Sequence, residues 1–254
     1  MTSLQIAGLV FASLFGSALL GVLLRKALPQ NHLGADAKDT IKLAMGLVAT
    51  MTALVLGLLV ASAKSSYDTQ RSEVIQMAAK IAFLNRLLTV YGPEAAGARD
   101  QLHRAVDAYV AHLWPDTPPG TSLGIPPDVV NGQATYAALQ QLAPSNDLQR
   151  AAKAQALQNA TDIGQMRWLL YEQSGSSISK PLLLVVIAWL AFIFLSFGLF
   201  APPNATVITA LMVAALSVAG SIFLILELDR PFSGLIEISS DPLRHAMETA
   251  ERRP

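Results

Sequence analysis

The stretch KPLLLVVIAWLAFIFLSFGLFAPPNATVITALMVAALSVAGSIFLILE, residues 180–227, decides the fold. No charged side chain lies between Lys180 and Glu227. That run is more than twice the roughly 20 apolar residues that cross a bilayer. It breaks once, at Ala201-Pro202-Pro203-Asn204. Proline fixes φ and has no N–H to give, so a helix stops there. The stretch therefore predicts two spanning helices, about 181–200 and 206–226, joined by a short turn. Two more clean runs come earlier, Leu4 to Leu24 and Leu43 to Ala63. At 1.5 Å per residue each makes about 30 Å of helix, the thickness of the hydrocarbon layer. An ionised side chain at mid-membrane costs roughly 2.5–3.5 kcal/mol, and all four runs avoid it. The expectation is an all-α protein with four transmembrane helices.

The first run could pass for a signal peptide. Its leader Met1-Thr2-Ser3-Leu4-Gln5 carries no positive side chain, and Arg25-Lys26 stands where a small-residue cleavage site would be. Both features favour a retained helix. The 18 Lys and Arg balance the 18 Asp and Glu, so charge gives no reason to expect a nucleic-acid partner. With no cysteine, disulfides, thiolate metal sites and thiol catalysis are excluded, and the redox compartment stays open.

Four spans put the N-terminus, segment 64–180 and the tail from 229 on one face, with the 25–42 loop and the 201–206 turn on the other. Near the first face stand Lys64, Arg71, Arg167, Lys180, Arg230 and Arg244; near the second, Arg25, Lys26, Lys38 and Lys42. The positive-inside rule favours a cytoplasmic 64–180 segment, although the bare N-terminus followed by Arg25-Lys26 pulls the other way. The expected localisation is multi-pass in a bacterial inner (plasma) membrane, with the lipid bilayer as first partner.

Segment 64–180 reads as an extramembrane helical domain inserted between the second and third spans. Tyr67, Val74, Ile81 and Leu88 stand seven apart, and Gln70, Met77, Leu84 and Tyr91 form a second seam. Heptad spacing marks a helix packed lengthwise on others. No breaker separates it from the second span, so one rod from about residue 40 to 91 is expected. Gly92-Pro93 ends it. A helix to about Leu113 follows, with Leu102, Val106, Tyr109 and Leu113 on one face. Residues 115–127 are too rich in proline and glycine for a helix. A short helix is expected over 128–142, and Pro144-Ser145-Asn146 supplies the N-cap of a long one ending near Gln173. Ser174-Gly175-Ser176-Ser177 links back to the bilayer. Ser240-Asp241-Pro242 starts a short tail helix through about Glu251. The domain division is thus 1–63, 64–180, 181–228 and 229–254.

Small residues recur at four-residue spacing: Gly8, Ala12 and Gly16 in the first span, and Ala49, Ala53, Gly57 and Ala61 in the second. Such stripes let helix backbones approach closely in lipid, within one chain or between subunits. No span holds an ionisable residue, which counts against a proton- or ion-coupled carrier. It leaves room for a channel, which can gate at a hydrophobic constriction. Thr50, Thr52, Ser196, Ser217 and Ser221 are hydroxyls well inside the spans, and bonding to their own helix backbone is the ordinary fate of each. Lys64, Glu227, Asp229 and Arg230 stand where spans leave the bilayer on one face. A structural ion pair at the helix end is the plain reading of Glu227 and Arg230, which share one side of the helix if it continues. A charged ring at a pore mouth is the functional one.

His32, His103, His112 and His245 show no metal-ligand spacing. There is no nucleophile elbow, P-loop or dinucleotide fingerprint. The reading is no enzyme, no catalytic residue, no metal and no cofactor.

Several motifs together resemble the bacterial membrane family of bestrophin-like domains of unknown function. They are ATMTALVLGL (49–58), AKSS (63–66), YGPE (91–94), RWL (167–169), SFGLFAP (196–202), LELDRPFSG (226–234), and Ile238-Ser239-Ser240 with Pro242-Leu243. They cover nearly the full chain and are specific in combination. The family's name records a distant likeness to bestrophins, pentameric anion channels with four spans and a large cytosolic helical insertion between the second and third. The bestrophins' acidic calcium-binding run has no counterpart, since Glu227-Leu228-Asp229-Arg230 is short and interrupted. The resemblance implies a homo-oligomeric channel for inorganic anions but carries over no pore-constriction motif. With the four-span plan, the clean spans and the rod-like helix, it leads to the expectation that the second span lines the pore, with Thr50, Leu54 and Leu58 as candidate pore-lining residues. The competing expectation is a non-conducting membrane scaffold whose helical domain binds a partner protein.

Overall fold

The computed structural model describes residues 2–27, 35–114, 127–173, 178–202 and 204–248. The described residues are helical without strands. The helices are α1 (Ser3–Ala27), α2 (Ala35–Tyr91), α3 (Ala96–Leu113), α4 (Pro127–Gln141), α5 (Asp147–Gln173), α6 (Lys180–Phe200), α7 (Ala205–Leu228) and α8 (Asp241–Glu248), with a 3-10 turn at Pro93–Ala95. Four of them, α1, α2, α6 and α7, are long and apolar enough to cross a membrane. The expected Pro/Gly-rich loop, the 174–177 linker and the end of the tail helix lie outside the described residues. The chain forms two compact units, residues 1–67 with 176–230, and residues 68–175 with 231–254. The 57-residue α2 contributes to both.

In the first unit α1 packs on α6 and α7. Its core holds Val10, Leu14 and Ala18 of α1, Leu59 and Ala63 of α2, Val186, Leu190 and Phe194 of α6, and Ala215, Ala219, Ile222 and Ile225 of α7. The α1–α6 seam is a backbone-to-backbone contact. A Cβ on Gly21 would stand 2.1 Å from the Leu195 carbonyl oxygen, and one on Gly198 would stand 1.9 Å from that of Ala18. Only glycine fits either place. Because Ala18 meets Gly198 while Arg25, further along α1, donates to the carbonyl of Ala201, the two helices run parallel. Arg25 thereby caps α6, placing a cation at the negative end of its dipole. Asn204 begins α7, its side chain accepting from the Val207 N–H at 2.8 Å.

The second unit is built on the heptad half of α2. Val74, Met77, Ile81, Leu84, Leu88 and Tyr91 are buried, as is Gln70, while Tyr67 at the start is half-buried. Leu102, Val106 and Tyr109 of α3 are buried in the same unit, with Leu139 of α4 and Ala152, Ala156 and Leu170 of α5. Gly92 ends α2 with φ +119, a conformation that costs other residues steric strain. The Asn146 side chain accepts from the Gln149 N–H at 2.8 Å, the N-cap arrangement of α5. Lys153 donates to the carbonyls of Gln140 and Leu142, closing the C-terminal end of α4. Fully buried Asn85 receives Arg99 Nε at 3.1 Å and donates to the Met247 carbonyl at 3.4 Å, tying α2 to α3 and α8. Trp114 donates its indole N–H to the Ile238 carbonyl and meets the Phe232 ring edge-on at 5.2 Å.

Candidate functional site

The membrane half of α2 is the least covered of the four apolar helices. Only 17% of its most apolar window is buried within the chain, against 28%, 33% and 22% for α1, α6 and α7. Val55, Leu56, Leu59 and Ala63 face the core of the first unit. Leu47, Met51, Leu54 and Leu58 are exposed, Leu54 and Leu58 at 61% each. Thr50 is exposed on the same helix, its hydroxyl donating to the Gly46 carbonyl. So the three candidate pore-lining residues, Thr50, Leu54 and Leu58, lie at successive four-residue steps on surface the single chain leaves bare.

The small-residue stripes lie on bare surface too. Gly8, Ala12 and Gly16 are exposed, as are Ala49, Ala53, Gly57 and Ala61. A Cβ added at Gly8, Gly16 or Gly57 would meet nothing within 4 Å. The close approach inside the chain falls instead on Gly21 and Gly198, which the four-residue rule passed over. A step of four residues turns about 400°, so such a stripe drifts about 40° round the helix at each step. The buried face of α1 is Ala7, Val10, Leu14, Ala18 and Gly21, spaced three, four, four and three. That mixed spacing was the available signal for Gly21.

These five span hydroxyls bond their own helix four residues back, as Ser17 of α1 does to Ser13. Thr52 donates to Val48 at 2.7 Å, Ser196 to Phe192 at 2.9 Å, Ser217 to Val213 at 2.9 Å and Ser221 to Ser217 at 3.1 Å, as Thr50 does to Gly46.

The helix-end charges differ from one another. The Lys64 ammonium lies over the Tyr67 ring, 5.5 Å from its centroid, a cation–π contact one turn apart. Glu227 is 5% exposed, in the last turn of α7. The helix ends at Leu228, Asp229 is its C-cap, and the Arg230 N–H donates to the Glu227 carbonyl at 3.0 Å. Glu227 is buried and Arg230 exposed. Among the described residues no group of three or more His, Asp or Glu converges to hold a metal ion.

Comparison with known proteins returns one finding. A family model, the Bestrophin-like domain, matches residues 10–243. No curated protein and no solved structure matches the chain. The match takes in α1 to the start of α8, including the bare face of α2 and the charges at the end of α7. The protein, with its four apolar helices of spanning length, belongs to the bestrophin-like family of membrane proteins.

Proposed function

We propose that the protein is a homo-oligomeric ion channel, permeable to inorganic anions, in which the membrane half of α2 lines the path. The observation that carries this reading is the bare apolar face of α2. In lipid that face is satisfied by acyl chains or by copies of itself, and its small residues suit close helix contact. Arranged about an axis, Leu54 and Leu58 make hydrophobic rings of the kind that gate by dewetting, with the Thr50 oxygen one turn before them. Lys64, directly after the span, and Arg230 supply positive charge at the mouth.

The parallel run of α1 and α6 supports the topology proposed with it. Both helices leave the bilayer at the same face, so α2 crosses back between them and the 64–180 segment emerges opposite Arg25. The positive-inside bias puts that segment in the cytoplasm of a bacterial cell. With no native cysteine, single cysteines at Ser65 and Thr161 test this: both are silent to an impermeant maleimide on intact cells, and labelling of both reverses the orientation.

The deciding experiment is flux from vesicles holding the purified protein. Chloride efflux exceeding potassium efflux, and rising with protein density, is expected. Vesicles tight at every density remove the channel. The second reading, a non-conducting scaffold that binds a partner through its helical unit, is favoured by the hydroxyls. Thr50 and Thr52 donate to their own helix, which leaves α2 a dry surface. That reading expects single-particle images of a monomer or compact dimer; a ring with a central axis excludes it.

A further inference from the structure

We propose that the loop 231–238 is a lipid anchor, its tip resting in the headgroup layer at the face where α7 leaves the bilayer. The loop reads Pro-Phe-Ser-Gly-Leu-Ile-Glu-Ile, and its partner is the phospholipid surface. The feature that calls for a partner is Leu235. It is 81% exposed, while no other large apolar side chain described outside the spans passes 65%. A single exposed leucine on a domain in water is ordinary; the setting of this one is not. From Pro231 to Ile236 the loop carries no charge, and Phe232 and Ile236 are only half-buried.

The base of the loop is fixed, so the leucine cannot retract. The Ile238 N–H donates to the Pro231 carbonyl at 2.7 Å, closing the two ends. Gly234 turns the chain with φ +124, a value other residues reach only with strain. Phe232 meets the Trp114 ring edge-on at 5.2 Å, and the Trp114 indole N–H donates to the Ile238 carbonyl at 2.6 Å. Pro231 and Ile238 are buried. Both ends are held and the tip is left out.

The chain itself brings the tip to lipid. α7 has 24 residues, about 36 Å at 1.5 Å each against roughly 30 Å of hydrocarbon. Ionised side chains avoid the hydrocarbon, so Glu227 and Asp229 keep this end of α7 in the headgroup layer. Pro231 follows Leu228 by three residues. From Pro231 the tip extends no further than four residues allow, roughly 14 Å. Leu235 is therefore within reach of the acyl boundary, where a leucine gains by leaving water. Arg230 before the uncharged run and Glu237 after it offset one another, so the anchor is apolar and works on a neutral bilayer. It needs α7 to cross the membrane and is independent of conduction.

The test uses the full chain in phosphatidylcholine nanodiscs. With no native cysteine, L235C and S233C each take one nitrobenzoxadiazole label. Q155C, exposed on α5, is the water reference, and L216C, exposed on α7, is the lipid reference. Lipids with a nitroxide near the headgroup quench L235C and S233C at least twice as strongly as Q155C. Moving the nitroxide to the acyl end weakens that quenching and strengthens it at L216C. The label is itself apolar, so the leucine is tested apart from it: L235S in the S233C background halves the quenching or brings it to the Q155C level. Quenching at L235C and S233C no greater than at Q155C overturns the proposal. So does a blue-shifted label that no nitroxide lipid quenches, the sign of a second copy seated on the loop. So does quenching at S233C that L235S leaves unchanged.

Discussion

The two halves of α2 have the same backbone and opposite surroundings. Over 43–63 the helix is apolar on every side, and its large residues, Leu47, Leu54 and Leu58 among them, stand exposed. Over 68–91 its apolar residues collect on a seam, and Val74, Met77, Ile81, Leu84 and Leu88 are all at most 3% exposed. Composition alone would make the first half look like a core and the second like a surface. The difference teaches that burial follows the solvent. In lipid an apolar side chain has no reason to hide, whereas in water the seam must be covered or the helix is lost.

The sharpest way to break this contrast is a pair of truncations. Leu88→Ala should cost about 3 kcal/mol, the range for a leucine removed from a packed core. Leu54→Ala should change the stability of the single chain by less than about 0.5 kcal/mol. Denaturant titration in mild detergent, followed by amide exchange in α3, measures the first. For the second, particle size at fixed detergent is the better readout, since a shift toward smaller species reveals Leu54 at a subunit contact. Equal costs for the two would erase the distinction between the halves.

Glycines sharpen it next. Gly21→Leu drives a side chain into the Leu195 backbone and should destabilise the first unit by about 2–3 kcal/mol, the overpacking range. Gly57→Leu, on the bare face of α2, should leave that unit's melting unchanged and disturb assembly alone. Asn85→Ala follows, at about 1–2 kcal/mol, because it leaves the buried Met247 carbonyl and the Arg99 guanidinium without their partner. Amide exchange at α8 should rise more than exchange at α5.

The smallest expected effect lies on the water-facing flank of the second half. The Lys80 ammonium, 2.7 Å from Asp162, and then the Gln158 amide hold the Asp162 carboxyl below the ordinary carboxylate value. A lowered folded-state pKa gives stability that is complete above the unfolded value, about 3.9. It is lost as pH falls through the lower folded value. Asp162→Asn should therefore narrow the gap to wild type as pH drops below that point, with melting temperature against pH as the measurement. An unchanged gap would show the pair to be solvent-screened throughout.

The elements were legible because their signals are local. The absence of charge from 181 to 226 marks α6 and α7, Gly92-Pro93 ends α2, and Asn146 starts α5. The heptads named the buried seam because a helix in water must show its covered face as a period. The bare and covered faces of the spans were not legible in the same way. Leu54 and Leu59 are the same residue in the same run, and only the fold puts Leu59 in the buried core of the first unit. The approach of the Arg167 side chain to Gly132, where an added Cβ would stand 2.2 Å from Nη1, was illegible for another reason. It joins α4 to α5 through an absent side chain, and an absence in the sequence does not name what fills it.

The crossing of α1 and α6 also constrains how the protein is made. Ala201 follows Arg25 by 176 positions, so at 5–20 residues per second the ribosome takes roughly ten to thirty-five seconds to supply the partner. Throughout that interval α1 waits in the membrane with its glycine notch vacant, and a rival helix from another nascent protein can occupy it. Insertion factors that shelter a lone hydrophobic segment should therefore matter more to this chain than to one whose close backbone contacts join helices adjacent in sequence.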